Sequence, residues 1–384
     1  MSLRGAAHVV GVFEHPTRKA PDRSVAQLHA ECARGALEDA GLSKDDVDGY
    51  FCSGDAPGLG PINMIEYMGL KVRHVDSTDV GGSSNQVLLG HAVEAIQAGR
   101  CNVALLTLAG RPRSQPAVAT PDYTQPELMF ERLYRPTTPA LYGLCAARHM
   151  YAYGTTMEQL AWVKVAASHH AQHNPNAMLR NLVTVEEVLA SPLVASPLHR
   201  LDCCVISDGG GAVIVARPEI ARSLKRPLVK VVGVGEATKD QRAGAVDLTY
   251  SAGRDSGAAA FEMAGVKPSD ISYASIYDSF TITVLLALED LGFCDKGEGG
   301  RFVQDGALIA GQGKLAVNTD GGGLCNNHPA NRGGITKIIE AVRQARGEAH
   351  PLVQVADPSL VLAHGTGGWL GTRHGSGTVI LERE

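Results

Sequence analysis

Apolar residues along this chain follow two alternating rhythms: short runs in which every or every other residue is apolar, and longer stretches with apolar residues three and four apart. HVVGVFE at 8–14 is of the first kind, a strand-like run carrying one Gly. CARGALEDAGLSKDDVDGYFCSGD follows as a helix with an apolar face, a Gly that stops it, a capped turn and a further strand. The same order returns in the second part as KVVGVGEATKDQR and then GAAAFEMAGVKPSDISYASIYDSF, with Gly41 aligned to Gly265 and Asp46 to Asp270. A third pair joins VGGSSNQVLLGHAVEAIQAGRCNVALLTLAG to NTDGGGLCNNHPANRGGITKIIEAVRQARG, each a Gly-rich turn followed by an amphipathic helix. Three matching blocks in one order mark an internal repeat. The pattern predicts two similar α/β units, 1–215 and 228–384, joined by ARPEIARSLKRP, with an insertion at about 111–200 inside the first. Strands alternating with helices predict sheets layered with helices.

Charge and composition then remove several classes of function. A formal net charge of −5 over 384 residues gives no bulk attraction to nucleic acid or to an anionic membrane. No apolar run reaches the roughly 20 residues that span a bilayer. The first residues lack the apolar region and cleavage site of a signal peptide, and ILERE at the end is not a peroxisomal address. The expectation is a soluble, cytoplasmic protein. The eight cysteines are scattered without a CxxC pair, which predicts buried, reduced thiols and no bound metal. His169 and His173 in HHAQH have the i, i+4 spacing zinc could use, but without a third ligand they read as a surface helix face. Gly209–Gly211 forms neither a GxGxxG nor a P-loop signature, so it offers no nucleotide-phosphate site.

The remaining motifs carry a family resemblance. They are Gly154–Thr156, Asn174–Pro175, Pro197–Leu198, Ser207–Gly211, IYDSF at 276–280, NNHPANRGG at 326–334 and AHGTGGW at 363–369. In this order and spacing they resemble the thiolase superfamily, in particular its lipid-transfer-protein or sterol-carrier-protein x branch, over nearly the whole chain. The resemblance implies a thiolase fold, a five-layer αβαβα arrangement with a mixed sheet from each half around two buried central helices. It places the active site where the N-termini of those helices meet. GGSSNQ and GGLCNNHP both read as helix starts, whose free N–H groups and positive dipole end suit a developing oxyanion. The resemblance also implies an acyl-CoA substrate, with coenzyme A present as part of the substrate and no bound cofactor. It further implies a homodimer and a separate small partner subunit built from an OB-fold and a zinc ribbon.

The family's nucleophilic cysteine falls, by this spacing, on Gly82 or on Ser83, and no cysteine occurs between 76 and 95. Gly82, Ser83 and Ser84 read as a turn and helix cap. His328 matches the family histidine that holds the thioester oxygen. His364 stands where thiolases carry their second cysteine, and a histidine there can serve as acid or base. Gly365, Gly367 and Gly368 beside it let backbone approach a substrate. Tyr277 stands where other members carry His or Asn, and its phenol can hold an oxyanion or give a proton. Asp278 is expected to fix a loop backbone and Cys325 to be a small buried hydrophobe. Acid/base groups without an acyl acceptor suit a retro-aldol cleavage of a β-hydroxyacyl-CoA, as in the steroid side-chain aldolases of this branch. Two alternatives stand beside it: a thiolase or Claisen-type acyltransferase using Ser83 or another thiol, and a non-catalytic lipid or acyl-CoA-binding subunit. Tyr134, Tyr142, Met150, Tyr151 and Tyr153 of the insertion are candidates for the wall of an acyl tunnel.

Overall fold

The computed structural model describes residues 3–53, 56–115, 137–240 and 246–384. Tyr134 lies outside the described residues. The strands are β1 (His8–Glu14), β2 (Gly49–Ser53), β3 (His74–Thr78), β4 (Val103–Gly110), β5 (Leu193–Ala195), β6 (Leu198–His199), β7 (Gly209–Ala216), β8 (Val229–Thr238), β9 (Tyr273–Ile276), β10 (Ala316–Val317), β11 (Leu360–Gly368) and β12 (His374–Arg383). In the first part the helices are α1 (Val25–Ala40), α2 (Pro61–Met68), α3 (Ser84–Gln97), α4 (Thr138–Tyr153), α5 (Met157–Ala171), α6 (Val185–Ala190) and α7 (Pro218–Ser223). In the second they are α8 (Gly253–Ala264), α9 (Thr281–Asp290), α10 (Gly299–Val303) and α11 (Gly334–Arg346).

Ten strands run in the order β10-β9-β11-β12-β8-β1-β7-β4-β2-β3. The middle seam, β1 against β8, is short: His8 faces Lys230 and Val9 faces Val229. Outward from it, β1-β7-β4-β2-β3 and β8-β12-β11-β9-β10 repeat each other, with two antiparallel pairings followed by two parallel ones on each side. Local chemistry repeats as well. Gly41 and Gly265 end α1 and α8 at φ 71° and 66°, a region that costs glycine little. Beyond them, Asp46 Oδ2 accepts the Ser43 N–H and Asp270 Oδ2 accepts the Lys267 N–H, both at 2.8 Å.

Side-chain alternation along the strands separates three layers of core. Ala104, Leu106, Val213, Val215, Val361, Ala363, Val379 and Leu381 share one cluster with Leu88, Leu89 and Val93 of α3 and Ile335, Ile338 and Val342 of α11. Their neighbours in sequence, Val103, Leu105, Ala212 and Ile214, face α1. Leu362, Ala274 and Ile380 face α8 and α9. Period-two strands buried on both faces give this arrangement, with α3 and α11 as the central layer. The five-layer thiolase fold stands.

Two readings of the sequence change. GGLCNNHP is not a helix start: Gly322–Asn326 forms a single π-type turn, Ala330–Gly333 a 3-10 turn, and α11 begins only at Gly334. The reason is local, since Asp278 accepts the Gly323 and Leu324 N–H groups at 2.7 and 3.1 Å and Pro329 has none to give. The HHAQH stretch is a surface face only in part: His169 and His173 are half-buried, but His170 between them turns inward. His170 is buried, receiving the Ala310 N–H on Nε2 at 2.9 Å while Nδ1 lies 3.2 Å from the Asn318 carbonyl. Among the described residues no group of His, Cys, Asp and Glu is arranged to hold a metal ion.

Candidate active site

A cavity of about 1350 Å³ opens where the Gly81–Ser83 turn ahead of α3 meets the ends of β9 and β11 and the NNHP loop. Its polar floor is Tyr277, His328 and Thr366; Tyr142, Phe280 and Trp369 form an aromatic wall. The sequence repeat explains the convergence. The turn before the first central helix and the loop before the second emerge at one end of the central layer, beside strand ends that share a sheet.

Tyr277 and His328 are neighbours, with ring centroids 5.2 Å apart. The Tyr277 hydroxyl donates to the Ala330 carbonyl at 3.0 Å. The His328 backbone N–H donates to Ser207 Oγ at 2.9 Å, and Ser207 in turn donates to Asn327 Oδ1 at 2.6 Å. His328 Nε2 has no hydrogen-bond partner among the described residues. Burial, aided by the Lys337 ammonium, lowers the His328 imidazole to about 4, so the ring is neutral near pH 7. Burial, with Cys204 beside it, holds the Tyr277 phenol well above its ordinary value, so it is a proton donor and not a phenolate.

At the first turn, Gly82 is constrained by space. A Cβ there would lie 2.5 Å from the Thr366 carbonyl oxygen and 2.7 Å from Cζ of Tyr277. Ser83 is fully buried and its hydroxyl donates to the Val80 carbonyl at 2.7 Å. Gly81, at φ 67°, approaches the backbone of Gly367 and Gly368, and a side chain on Gly367 would run into the Val80 carbonyl. Gly82, Gly367 and Gly368 line the cavity as bare backbone.

His364 is not brought to the cavity. It shares a face of β11 with Thr366, which lines the cavity, but stands two residues further down the strand, about 6–7 Å deeper. Its Nδ1 meets Thr378 Oγ1 at 2.9 Å, the start of α8 at Gly253 covers the ring, and burial lowers it to about 3. A second histidine beside His328 does line the cavity: His374, across the β11–β12 ladder from Gly368, which burial and then Lys239 lower to about 4. No spacing in the sequence marks His374; only the β11–β12 pairing would have found it. Cys203 and Cys204 also line the cavity, and burial pushes the Cys203 thiol up to about 11. Of the insertion's aromatics, Tyr142 stacks on Phe280 at 4.3 Å inside the cavity, whereas Tyr151 and Tyr153 are exposed at the surface.

This layered fold, with two matching turns meeting at one pocket, defines a thiolase-type protein. Comparison with known proteins agrees. The thiolase C-terminal domain-like family model matches residues 235–383. An acetyl-CoA acetyltransferase of Methanothermobacter thermautotrophicus is 35% identical over 95% of this chain and 97% of its own. The 17-hydroxy-3-oxo-4-pregnene-20-carboxyl-CoA lyase of Mycobacterium tuberculosis is 32% identical over 95% of this chain and 97% of its own. A solved structure of an Ltp2–ChsH2(DUF35) aldolase superposes with a TM-score of 0.90 at 31% identity, covering 99% of this chain and 98% of that one. The chain belongs to the thiolase superfamily, in its sterol-carrier-like branch.

Proposed function

We propose that this protein is an acyl-CoA carbon–carbon lyase that cleaves a β-hydroxyacyl-CoA by retro-aldol reaction, without an acyl-enzyme. The observation that carries the reading is the space at Gly82: the Tyr277 ring and the Thr366 carbonyl fill the volume a nucleophile's side chain would need there. Ser83 does not replace it, because its hydroxyl is buried and committed to Val80. The phenol of Tyr277 and the neutral imidazole of His328 hold the thioester oxygen as the Cα–Cβ bond breaks and its electron pair passes into the enolate. A proton then returns to the α-carbon from this pair. The proton lost by the β-hydroxyl passes to the same pair and makes good the one it delivers, and the β-carbon leaves as a carbonyl. The similarity to a pregnene carboxyl-CoA lyase and to a solved aldolase supports this chemistry.

Three assignments accompany the reading. A separate small subunit docks on this chain, supported by the ChsH2(DUF35) component of the similar solved aldolase. The chain forms a homodimer, supported by β3, an edge strand at the end of the ten-stranded sheet with two of its five residues exposed and none buried. It works in the cytoplasm, supported by eight cysteines of which none stands in a disulfide among the described residues.

The decisive experiment supplies a β-hydroxyacyl-CoA and a β-ketoacyl-CoA, each with and without free CoA and the small partner, and follows products by mass spectrometry. Cleavage of the hydroxy substrate without free CoA is the expected result. Cleavage of the keto substrate alone, requiring free CoA, would replace the lyase with an acyltransferase. That second reading draws on Cys203 and Cys204 in the cavity wall and on the acetyltransferase relative. It requires an acyl group trapped on one of those thiols.

A further inference from the structure

Asp278 follows Tyr277 in the chain and is fully buried, and three donors converge on its carboxylate. The Gly323 and Leu324 N–H groups of the turn leading to His328 reach it at 2.7 and 3.1 Å. Lys337, from the second turn of α11, reaches it at 2.9 Å. Lys337 is itself only 1% exposed, so an ammonium has been carried into the interior beneath the site. Gly323 is wedged between the two: a Cβ there would lie 2.9 Å from Cδ2 of His328 and 3.1 Å from Oδ1 of Asp278. One carboxylate and one ammonium thus tie together the strand end that bears Tyr277, the turn that carries His328 and the second central helix.

We propose that Lys337 is a positioning residue: held by Asp278, it fixes the turn beneath His328 and sets a buried cation under that ring. The proposal rests on Tyr277 and His328 being the reacting pair. A buried ion pair is seldom retained for stability alone, since apolar residues of the same volume often do as well. Here the pair has a geometric task and an electrostatic one. Burial opposes the Lys337 charge, yet Asp278 and then Asp320 hold the ammonium above its ordinary value, so the cation persists at every working pH. Other titratable and charged groups share the cavity with His328, namely Asp79, Lys239, Arg373 and His374. Tyr277 faces it from the end of β9, Cys203 and Cys204 share its cavity ahead of β7, and Arg332 in the following turn acts on Tyr277.

The test uses the opposite signs of the two partners. His328 is followed by its imidazole NMR titration in the full chain, beside the acid limb of kcat/KM for the hydroxyacyl-CoA. In Lys337→Met the nearby cation is gone, and the midpoint and the acid limb both rise by about one pH unit or more. In Asp278→Asn the cation stays and loses its counter-charge, so the midpoint stays at or below the wild-type value. Lys337→Arg restores the wild-type midpoint. A purely structural role would loosen the turn in both variants and move both midpoints the same way, and that result overturns the proposal. Where Lys337→Met does not fold, Lys337→Met/Asp278→Asn leaves no buried charge unpaired, and its midpoint rises as well. The wild-type titration needs no variant: a midpoint above about 6 overturns the proposal. Titration does not require turnover, so failure of the lyase reading and failure of this one are told apart.

Discussion

The turns that precede the two central helices descend from the same repeat, and they do different things. Gly81–Ser83 passes directly into α3, and its residues turn no side chain into the cavity; Ser83 and Ser84 spend their hydroxyls on the Val80 and Gly81 carbonyls. The second turn is drawn out. Asp278 captures the amides of Gly323 and Leu324, Pro329 interrupts the chain, and α11 starts six residues beyond His328. One half of the molecule therefore contributes bare backbone and close approach, and the other contributes the ring that can donate or accept a proton. A fold built from two copies became asymmetric at one pocket without disturbing the strand order of either half.

The sharpest way to break this comparison is to remove the chemistry from the second half alone. Tyr277→Phe and His328→Ala are each expected to lower kcat/KM for the hydroxyacyl-CoA by about 10²–10⁴-fold, the range typical of a positioned acid or base. Melting temperature serves as the control for folding. A loss of less than about tenfold in both variants would move the chemistry elsewhere in the cavity.

A second effect spans both halves and follows from their buried histidines. His29, His170, His328 and His374 are lowered to about 4 and His364 to about 3, with burial the first cause in each. Their folded values lie below the unfolded value near 6.5, so the unfolded chain binds more protons in between. Stability is fully present above pH 6.5 and falls as pH drops toward 4, by on the order of a few kcal/mol. Glu340 works the other way. Burial and Asp320 raise it to about 7, so its contribution is present at low pH and lost as pH rises through 7. Burial raises Asp202 and Asp290 in the same sense as Glu340, but the five imidazoles outweigh these carboxyls, and denaturant midpoints measured from pH 7.5 to 4.5 are expected to decline. A flat profile would contradict the neutral state assigned to these rings.

The third prediction tests the first half. Gly82→Ala forces a methyl group against the Tyr277 ring and the Thr366 carbonyl, and overpacking of this kind costs about 1–3 kcal/mol. Gly82→Ala/Tyr277→Ala relieves only the contact with the ring, so it recovers part of that loss. Urea denaturation of the two variants gives the comparison. If Gly82→Ala were as stable as wild type, the space for a nucleophile would be open and the argument against an acyl-enzyme would lose its basis.

Much of this was legible in the residues. The repeat, the helix stops at Gly41 and Gly265, and the glycine-lined approach at Gly367 and Gly368 follow from patterns set within a few residues of each other. So did the loop-fixing role of Asp278, which now has its amide partners. What could not be read was depth along a strand. A motif places His364 near the end of β11, but being two residues further in puts a side chain under the cavity floor instead of on it. The start of α11 was hidden for a related reason: a Gly-rich turn looks like a helix start until a distant carboxylate takes its N–H groups. His374 was invisible because its position depends on a register between strands.

The smallest expected effect falls on His364, and it separates proximity in sequence from proximity in space. The ring is fully buried, its Nδ1 is engaged with Thr378, and Thr378 keeps a second partner in Ser256 at 3.0 Å. His364→Ala therefore leaves no hydroxyl stranded. It opens a small cavity beneath the floor and is expected to cost about 1–2 kcal/mol of stability, as ordinary core truncations of modest size do. Cleavage of the hydroxyacyl-CoA is expected to stay within about threefold of wild type, against the 10²-fold or more for His328→Ala, because only a group that meets the reacting atoms contributes acid–base catalysis. Steady-state kinetics with a melting curve decide it. A loss as large as that of His328→Ala, with stability unchanged, would mean that Thr366 and Gly253 part to admit the ring, and that both halves of the repeat meet at a deeper centre than the cavity floor.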